Sequence, residues 1–146
     1  VDPLMTPEAT RRAQMAYAAC LSGIALAHVG LGIVHALASS LGGLGGVPHT
    51  TACAVLLPGA TALNRRVLMD GRGDPRALER YRCAEAALGC DLLAFCARFS
   101  FTAFRHFGVD AAMIPSLIAG AGAGNLKSNP ADLAPEEIAR LLESAL

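Results

Sequence analysis

Apolar residues recur along this chain at intervals of three and four, the spacing that places side chains on one face of an α-helix. The pattern is clearest in the last segment, where Pro135 precedes two glutamates and where Ile138, Leu141 and Leu142 fall on one side. No segment alternates apolar and polar residues as a strand on a sheet surface does. The sequence therefore predicts an all-α fold, a bundle-like domain of about seven helices.

Glycines and prolines set the predicted helix boundaries, because glycine loosens a helix and proline lacks a backbone donor. The chain is expected to turn in the glycine-rich stretch 42–46, and Pro48 is expected to open the third helix. Pro58 is expected to divide that helix in two. The predicted helices cover about residues 6–27, 31–41, 48–69, 75–88, 91–107 and 114–121, with a last one from 135 onward.

Two more faces are predicted to be buried, one on the fourth helix and one formed by aromatic residues of the fifth. Their residues are Leu78, Tyr81, Ala84 and Leu88, and Phe95, Phe99, Phe104 and Phe107. The glycine-rich stretch 120–124 follows a helix instead of a strand, so we predict a flexible helix end there and not a phosphate cradle.

The composition limits the classes of partner that the chain is expected to bind. Hydrophobic residues make up 53% of the chain, and twelve acidic residues balance twelve basic ones, which gives no electrostatic basis for binding nucleic acid or an anionic membrane. Small molecules and protein partners remain, including a second copy of the chain. The five cysteines form no C-x-x-C pair, and we expect a reduced, cytoplasmic setting.

The apolar run of residues 15–44 is long enough to consider a membrane span, which needs about 20 apolar residues. The run is rich in alanine, is repeatedly interrupted by glycine, and contains His28 and His35. A close-packed pair of water-soluble helices explains these features better, so a small membrane protein is the less favoured interpretation.

The histidines are the first candidates for chemistry, because motifs of metalloproteases, serine hydrolases and zinc modules are absent. His28, His35 and Ser39 would share one stripe if their helix were continuous, and the glycine turn could bring His49 to His35. Neutral imidazole binds Fe²⁺ or Zn²⁺ well. Taken on spacing alone, hydrogen-bonded core histidines remain the favoured interpretation over a metal site.

Three segments carry a resemblance that changes this balance. They are GLGIVHALASSLG at 30–42, VPH at 47–49 and AVLLP at 54–58, which together resemble the signature of the iron-containing alcohol dehydrogenases. Further along, KSNP at 127–130 followed by PEEI at 135–138 resembles the segment that closes those enzymes. The resemblance extends over essentially the whole chain.

The resemblance implies a function and a site. It implies the C-terminal helical half of an oxidoreductase that uses NAD or NADP and a bound Fe²⁺ or Zn²⁺ to interconvert a small-molecule alcohol and a carbonyl compound, in a family that includes maleylacetate reductases. It implies that His35 and His49 bind the metal. Ser39 stands where the family usually has another histidine, so it could offer only a hydrogen bond to substrate, cofactor or water, or serve as a small packing residue.

Two other departures lie beside these positions, where Thr50 replaces a glycine and Cys53 replaces an asparagine of many members. Neither is expected to touch the proposed ligands. The family's remaining ligands, an aspartate and a histidine four residues apart, are not found before His28. We therefore expect residues 1–146 to be a helical metal-binding domain without its nucleotide-binding domain, and inactive alone. The alternative is a helical association module that has lost catalysis.

Overall fold

The computed structural model describes residues 7–122 and 126–146. In these two ranges it contains helices and no strand, which confirms the predicted all-α fold. The α-helices are α1 (Pro7–Val29), α2 (Ile33–Gly45), α3 (His49–Met69), α4 (Ala77–Leu88), α5 (Leu92–Cys96), α6 (Ile114–Gly120) and α7 (Pro135–Ser144). Short 3-10 helices cover Phe104–Phe107 and Ala111–Met113.

The chain divides at Gly30 into two compact units. The described part of the first unit is α1 and the residue after it, and no residue of α1 is buried. Gly30 has φ 73°, in the left-handed region that favours glycine, so the helix ends there. The break predicted between the first two helices is confirmed, and the stripe of His28, His35 and Ser39, which was conditional on a continuous helix, does not form.

Among the described residues, no single helix is both long enough and apolar enough to cross a bilayer. Only α1 and α2 taken together, across the bend between them, meet that criterion by length and composition.

The core of the second unit lies between four helices, since α2 packs against α3 and α6, and α7 packs against the same two helices. The leucines at its centre are fully buried, as expected for side chains that drive helix packing through removal of apolar area from water. They are Leu37, Leu41, Leu56, Leu117 and Leu142. The predicted inner face of the last helix is confirmed, with Ile138 and Leu141 also buried.

Two predicted boundaries were wrong. Helix α2 does not stop at residue 41 but continues through Gly45, and the chain turns at Gly46 instead. Pro58 lies inside α3 without dividing it. Proline cannot donate to the Ala54 carbonyl and its ring crowds that carbonyl, but packing of α3 on both α2 and α7 outweighs this local cost.

The fifth helix was predicted to run from 91 to 107, and this prediction was wrong beyond Cys96. Helix α5 ends there, and the next helical segment is the separate 3-10 helix Phe104–Phe107. There the Phe104 amide donates to the Ala145 carbonyl, so pairing with the end of α7 replaces helix continuation. Phe104 is 0% exposed but Phe99 is 51% exposed, and it contacts the rings of Phe95 and Phe101 instead of the core.

The fourth helix is likewise less buried than its spacing predicted. Leu78 and Tyr81 are partly buried against the core, whereas Ala84 and Leu88 are exposed. The helical spacing identified the side of α4 that faces the core, but neighbouring elements cover only the first half of that side. The predicted flexible end at 120–124 falls partly on residues 123–125, which lie outside the described ranges.

Candidate metal centre

The turn between α2 and α3 fixes the geometry of the candidate site. Gly46 adopts φ 62° and ψ 15°, a left-handed conformation that ends α2, and its amide donates to the Leu41 carbonyl. Val47 follows with 2% exposure, which anchors the turn in the core. Pro48 has φ −56° and forms the N-cap of α3, so that His49 is the first residue of that helix. The compact reversal predicted from the glycines therefore occurs at their last position.

The two histidines lie next to each other across this turn. His35 occupies the first turn of α2 and is partly buried, while His49 is exposed at the start of α3. Their ring centroids are 5.5 Å apart and the ring planes are inclined by 51°. The helical hairpin thus brings together the two imidazoles that the sequence separated by fourteen positions.

Cys53 joins the pair from one turn further along α3. Its Sγ lies 3.6 Å from His49 Nε2. One ligand atom from each of His35, His49 and Cys53 lies within 4.8 Å of the other two. The expectation that Cys53 would not touch the proposed ligands was wrong, because positions i and i+4 of a helix lie on the same face. That spacing was the sequence signal that could have revealed the contact.

The donors in this cluster suit a divalent ion. Two imidazoles and a thiol are groups that Fe²⁺ and Zn²⁺ accept, so the residues present fit such a metal. Burial raises the pKa of the Cys53 thiol, which keeps it protonated at neutral pH in the absence of a cation. Within the described ranges, no carboxylate belongs to this cluster. The cluster therefore carries no negative charge of its own.

A hydrogen-bond network behind the site holds the first turn of α2. Asn129 Oδ1 accepts from the Ile33 amide at 3.2 Å and from Asn64 Nδ2 at 3.3 Å. A Cβ at position 32 would lie only 3.1 Å from the same oxygen, so glycine avoids a close contact with the Asn129 side chain. Because Ile33 is two residues before His35, this network fixes the helix end that carries the first imidazole.

The other candidates from the sequence lie elsewhere. Ser39 is exposed on α2, one turn after His35, so its alternative role as a packing residue has no support from burial. His106 is exposed in the 3-10 helix Phe104–Phe107 and takes no part in the cluster. Cys83 is exposed and Cys90 is partly exposed, and neither thiol belongs to the cluster.

Comparison with known proteins gives a consistent result. The sequence model described as "Fe-containing alcohol dehydrogenase family, C-terminal" matches residues 5–146. Alcohol dehydrogenase 4 of Schizosaccharomyces pombe is 42% identical over 80 residues, which are 55% of this chain and 17% of that protein. The 1,3-propanediol dehydrogenase of Citrobacter freundii is 51% identical over 53 residues, 36% of this chain and 14% of that protein. The chain thus spans a small part of each relative's length.

Solved structures show the same likeness. A crystal structure of a 1,3-propanediol oxidoreductase matches with a TM-score of 0.70 and 30% identity, covering 90% of this chain and 37% of that one. The structure of an iron-containing alcohol dehydrogenase from Corynebacterium glutamicum matches with a TM-score of 0.64 and 28% identity, covering 79% of this chain and 32% of that one.

Proposed function

This chain belongs to the Fe-containing alcohol dehydrogenase family, and we propose that it is the metal-binding C-terminal part of an NAD(P)-linked oxidoreductase that interconverts an alcohol and a carbonyl compound. The observation that carries the proposal is the placement of His35 beside His49, with ring centroids 5.5 Å apart. The relatives include an alcohol dehydrogenase and a 1,3-propanediol dehydrogenase, which supports a small-molecule alcohol as the substrate class.

In this proposal His35 and His49 hold Fe²⁺ or Zn²⁺ through ring nitrogens, and the hairpin of α2 and α3 fixes their separation. An ion bound there supplies Lewis-acid polarisation of the alcohol or carbonyl oxygen. In this proposal the exposed Ser39 offers a hydrogen bond to substrate, cofactor or water, but a serine hydroxyl does not exchange a proton near neutral pH as an imidazole does.

The relatives are several times longer than the stretches they share with this chain, so we assign NAD or NADP binding and further metal ligands to regions outside these 146 residues. The 146-residue chain alone is therefore expected to bind metal weakly and to lack NAD(P)-dependent alcohol oxidation. Five free cysteines support a reducing, cytoplasmic location.

Metal titration of the purified chain tests the site. We expect Zn²⁺ or Fe²⁺ to bind with an affinity that falls by about tenfold or more in His35→Ala and in His49→Ala, because each variant removes a ligand. His106→Ala is the matched control, since that imidazole is exposed and outside the cluster. Equal affinity in all four proteins would refute the metal centre.

A second candidate is the association module, and α1 is the observation that favours it. This 23-residue helix has no buried residue, and Tyr17, Leu21 and Ile24 share one face with exposed fractions of 66%, 47% and 53%. Exposed apolar faces of this kind are typical of protein interfaces. If α1 forms a homo-oligomer interface, Ile24→Glu should shift the mass measured by light scattering towards the monomer, while Arg11→Glu should not.

A further inference from the structure

The position of Cys53 makes it more than a neighbour of the histidines. Its Sγ lies 3.6 Å from His49 Nε2. The Sγ and one ring nitrogen from each of His35 and His49 also lie within 4.8 Å of one another. In a tetrahedral site with metal–nitrogen bonds of about 2.0–2.1 Å and a metal–sulfur bond of about 2.3 Å, a nitrogen and a sulfur ligand lie about 3.5 Å apart. The observed separation already has this value.

We infer that Cys53 is a third metal ligand, so that His35, His49 and Cys53 form a two-histidine, one-cysteine site that prefers Zn²⁺ to Fe²⁺. This inference rests on the proposed function, because it takes the histidine pair as given and adds a residue that stands where many members of the family have asparagine. Thiolate is a softer donor than imidazole or amide oxygen and favours zinc, which also stands above Fe²⁺ in the general order of affinities.

Only a small movement is needed to close the site. The widest separation in the cluster is at most 4.8 Å, compared with about 3.3–3.5 Å for two ligands of one tetrahedral ion. His49 is exposed and Cys53 is partly exposed, so rotation about their side-chain bonds can provide the difference without moving α3. On binding, the thiol proton passes to solvent and the sulfur bonds to the metal as thiolate, which offsets one charge of the cation.

Cobalt substitution tests the ligand directly, because a thiolate bound to Co²⁺ gives an intense sulfur-to-metal charge-transfer absorption in the near ultraviolet. The accessible thiols would confuse this signal. The background protein therefore carries Cys20→Ser, Cys83→Ser and Cys90→Ser, which leaves Cys53 and the buried Cys96. We expect the charge-transfer band in this background and its loss in Cys53→Ser and in Cys53→Asn, with Cys96→Ala as the matched control that keeps it.

Affinity provides the second readout. The Cys53 variants should bind Zn²⁺ about tenfold or more weakly, since losing a direct ligand costs at least as much as losing an outer-shell partner, while Fe²⁺ affinity should change less. Cys53→Asn restores the common residue of the family, so it is expected to fold, and helical circular dichroism verifies this for each variant.

The outcomes separate this inference from the proposed function. Co²⁺ that binds through His35 and His49 without a charge-transfer band, equally in the background and in Cys53→Asn, overturns the cysteine ligand and leaves the histidine site intact. Absence of any Co²⁺ or Zn²⁺ binding sensitive to His49→Ala overturns both.

Discussion

Asn64 and Asn129 exchange side-chain hydrogen bonds across 65 positions of the sequence. Asn64 Nδ2 donates to Asn129 Oδ1 at 3.3 Å, and Asn129 Nδ2 donates to Asn64 Oδ1 at 2.9 Å. Asn129 also accepts from the Ile33 amide and donates to the Ala131 carbonyl. One side chain thus ties α3, the start of α2 and the segment before α7 together, behind the turn that carries His35.

Removing this link should destabilise the fold. Asn129→Ala deletes four hydrogen bonds, two of which are to Asn64, a residue only 5% exposed. We expect a loss of about 2–4 kcal/mol in the free energy of unfolding, because a buried polar group left unpaired costs about 1–3 kcal/mol. Urea denaturation measures it. The adjacent exposed Ser128→Ala is the control, and equal midpoints for both variants would contradict the network's importance.

Replacing the turn glycine Gly46 with alanine should lower stability, whereas the same replacement at the helical Gly43 should raise it. Gly46→Ala places a Cβ in open space but at φ 62°, so the cost is purely conformational, about 1–2 kcal/mol. Gly43→Ala also meets nothing within 4 Å but lies inside α2, where alanine is favoured by about 0.5–1 kcal/mol. Thermal unfolding should therefore move in opposite directions for the two variants.

Glu137 should make stability depend on pH. Its carboxylate accepts from Arg72 at 2.7 and 3.2 Å and from the Ala134 amide at 2.9 Å. The hydrogen bond from Arg72 is the largest cause that lowers the Glu137 pKa from 4.5 to about 2. Because the folded-state pKa is depressed, the stabilisation is complete above pH 4.5 and is lost as the pH falls towards 2.

Comparison of Glu137→Gln with the wild type measures this contribution. The variant should melt at a lower temperature than the wild type at pH 7, and the two melting temperatures should converge as the pH approaches 2. Glu136→Gln is the matched control, because that residue is exposed in the same helical turn and its side chain makes none of these bonds. A difference that stays constant from pH 7 to pH 2 would contradict the assignment.

Phe99 and Phe104 were both predicted to lie in the core, but they should contribute very different amounts to the free energy of unfolding. Phe104 is 0% exposed, and Phe104→Ala should cost about 3–5 kcal/mol by removing buried ring area and leaving a cavity. Phe99 is 51% exposed and contacts mainly its aromatic neighbours, so Phe99→Ala should cost about 1 kcal/mol or less. Guanidinium denaturation of both variants provides the comparison, and equal losses would argue against the described core.

The sequence by itself determined the fold class, the family and the position of the candidate ligands. Helical periodicity is a local property, because residues three and four apart share a face whatever surrounds them. Pro48 at the start of α3 and Gly89 at the end of α4 act through their own backbone angles, so these boundaries were predictable.

Only the tertiary structure decided which residues are buried by neighbouring helices and where each helix ends. Pro58 stayed inside α3 and Phe99 stayed outside the core because long-range packing outweighed local preference. The contact of Cys53 with His49 could be predicted, because the two residues are four positions apart on one helix. The approach of Cys53 to His35 could not be predicted from local spacing. That approach depends on how the turn at Gly46 folds one helix back onto another.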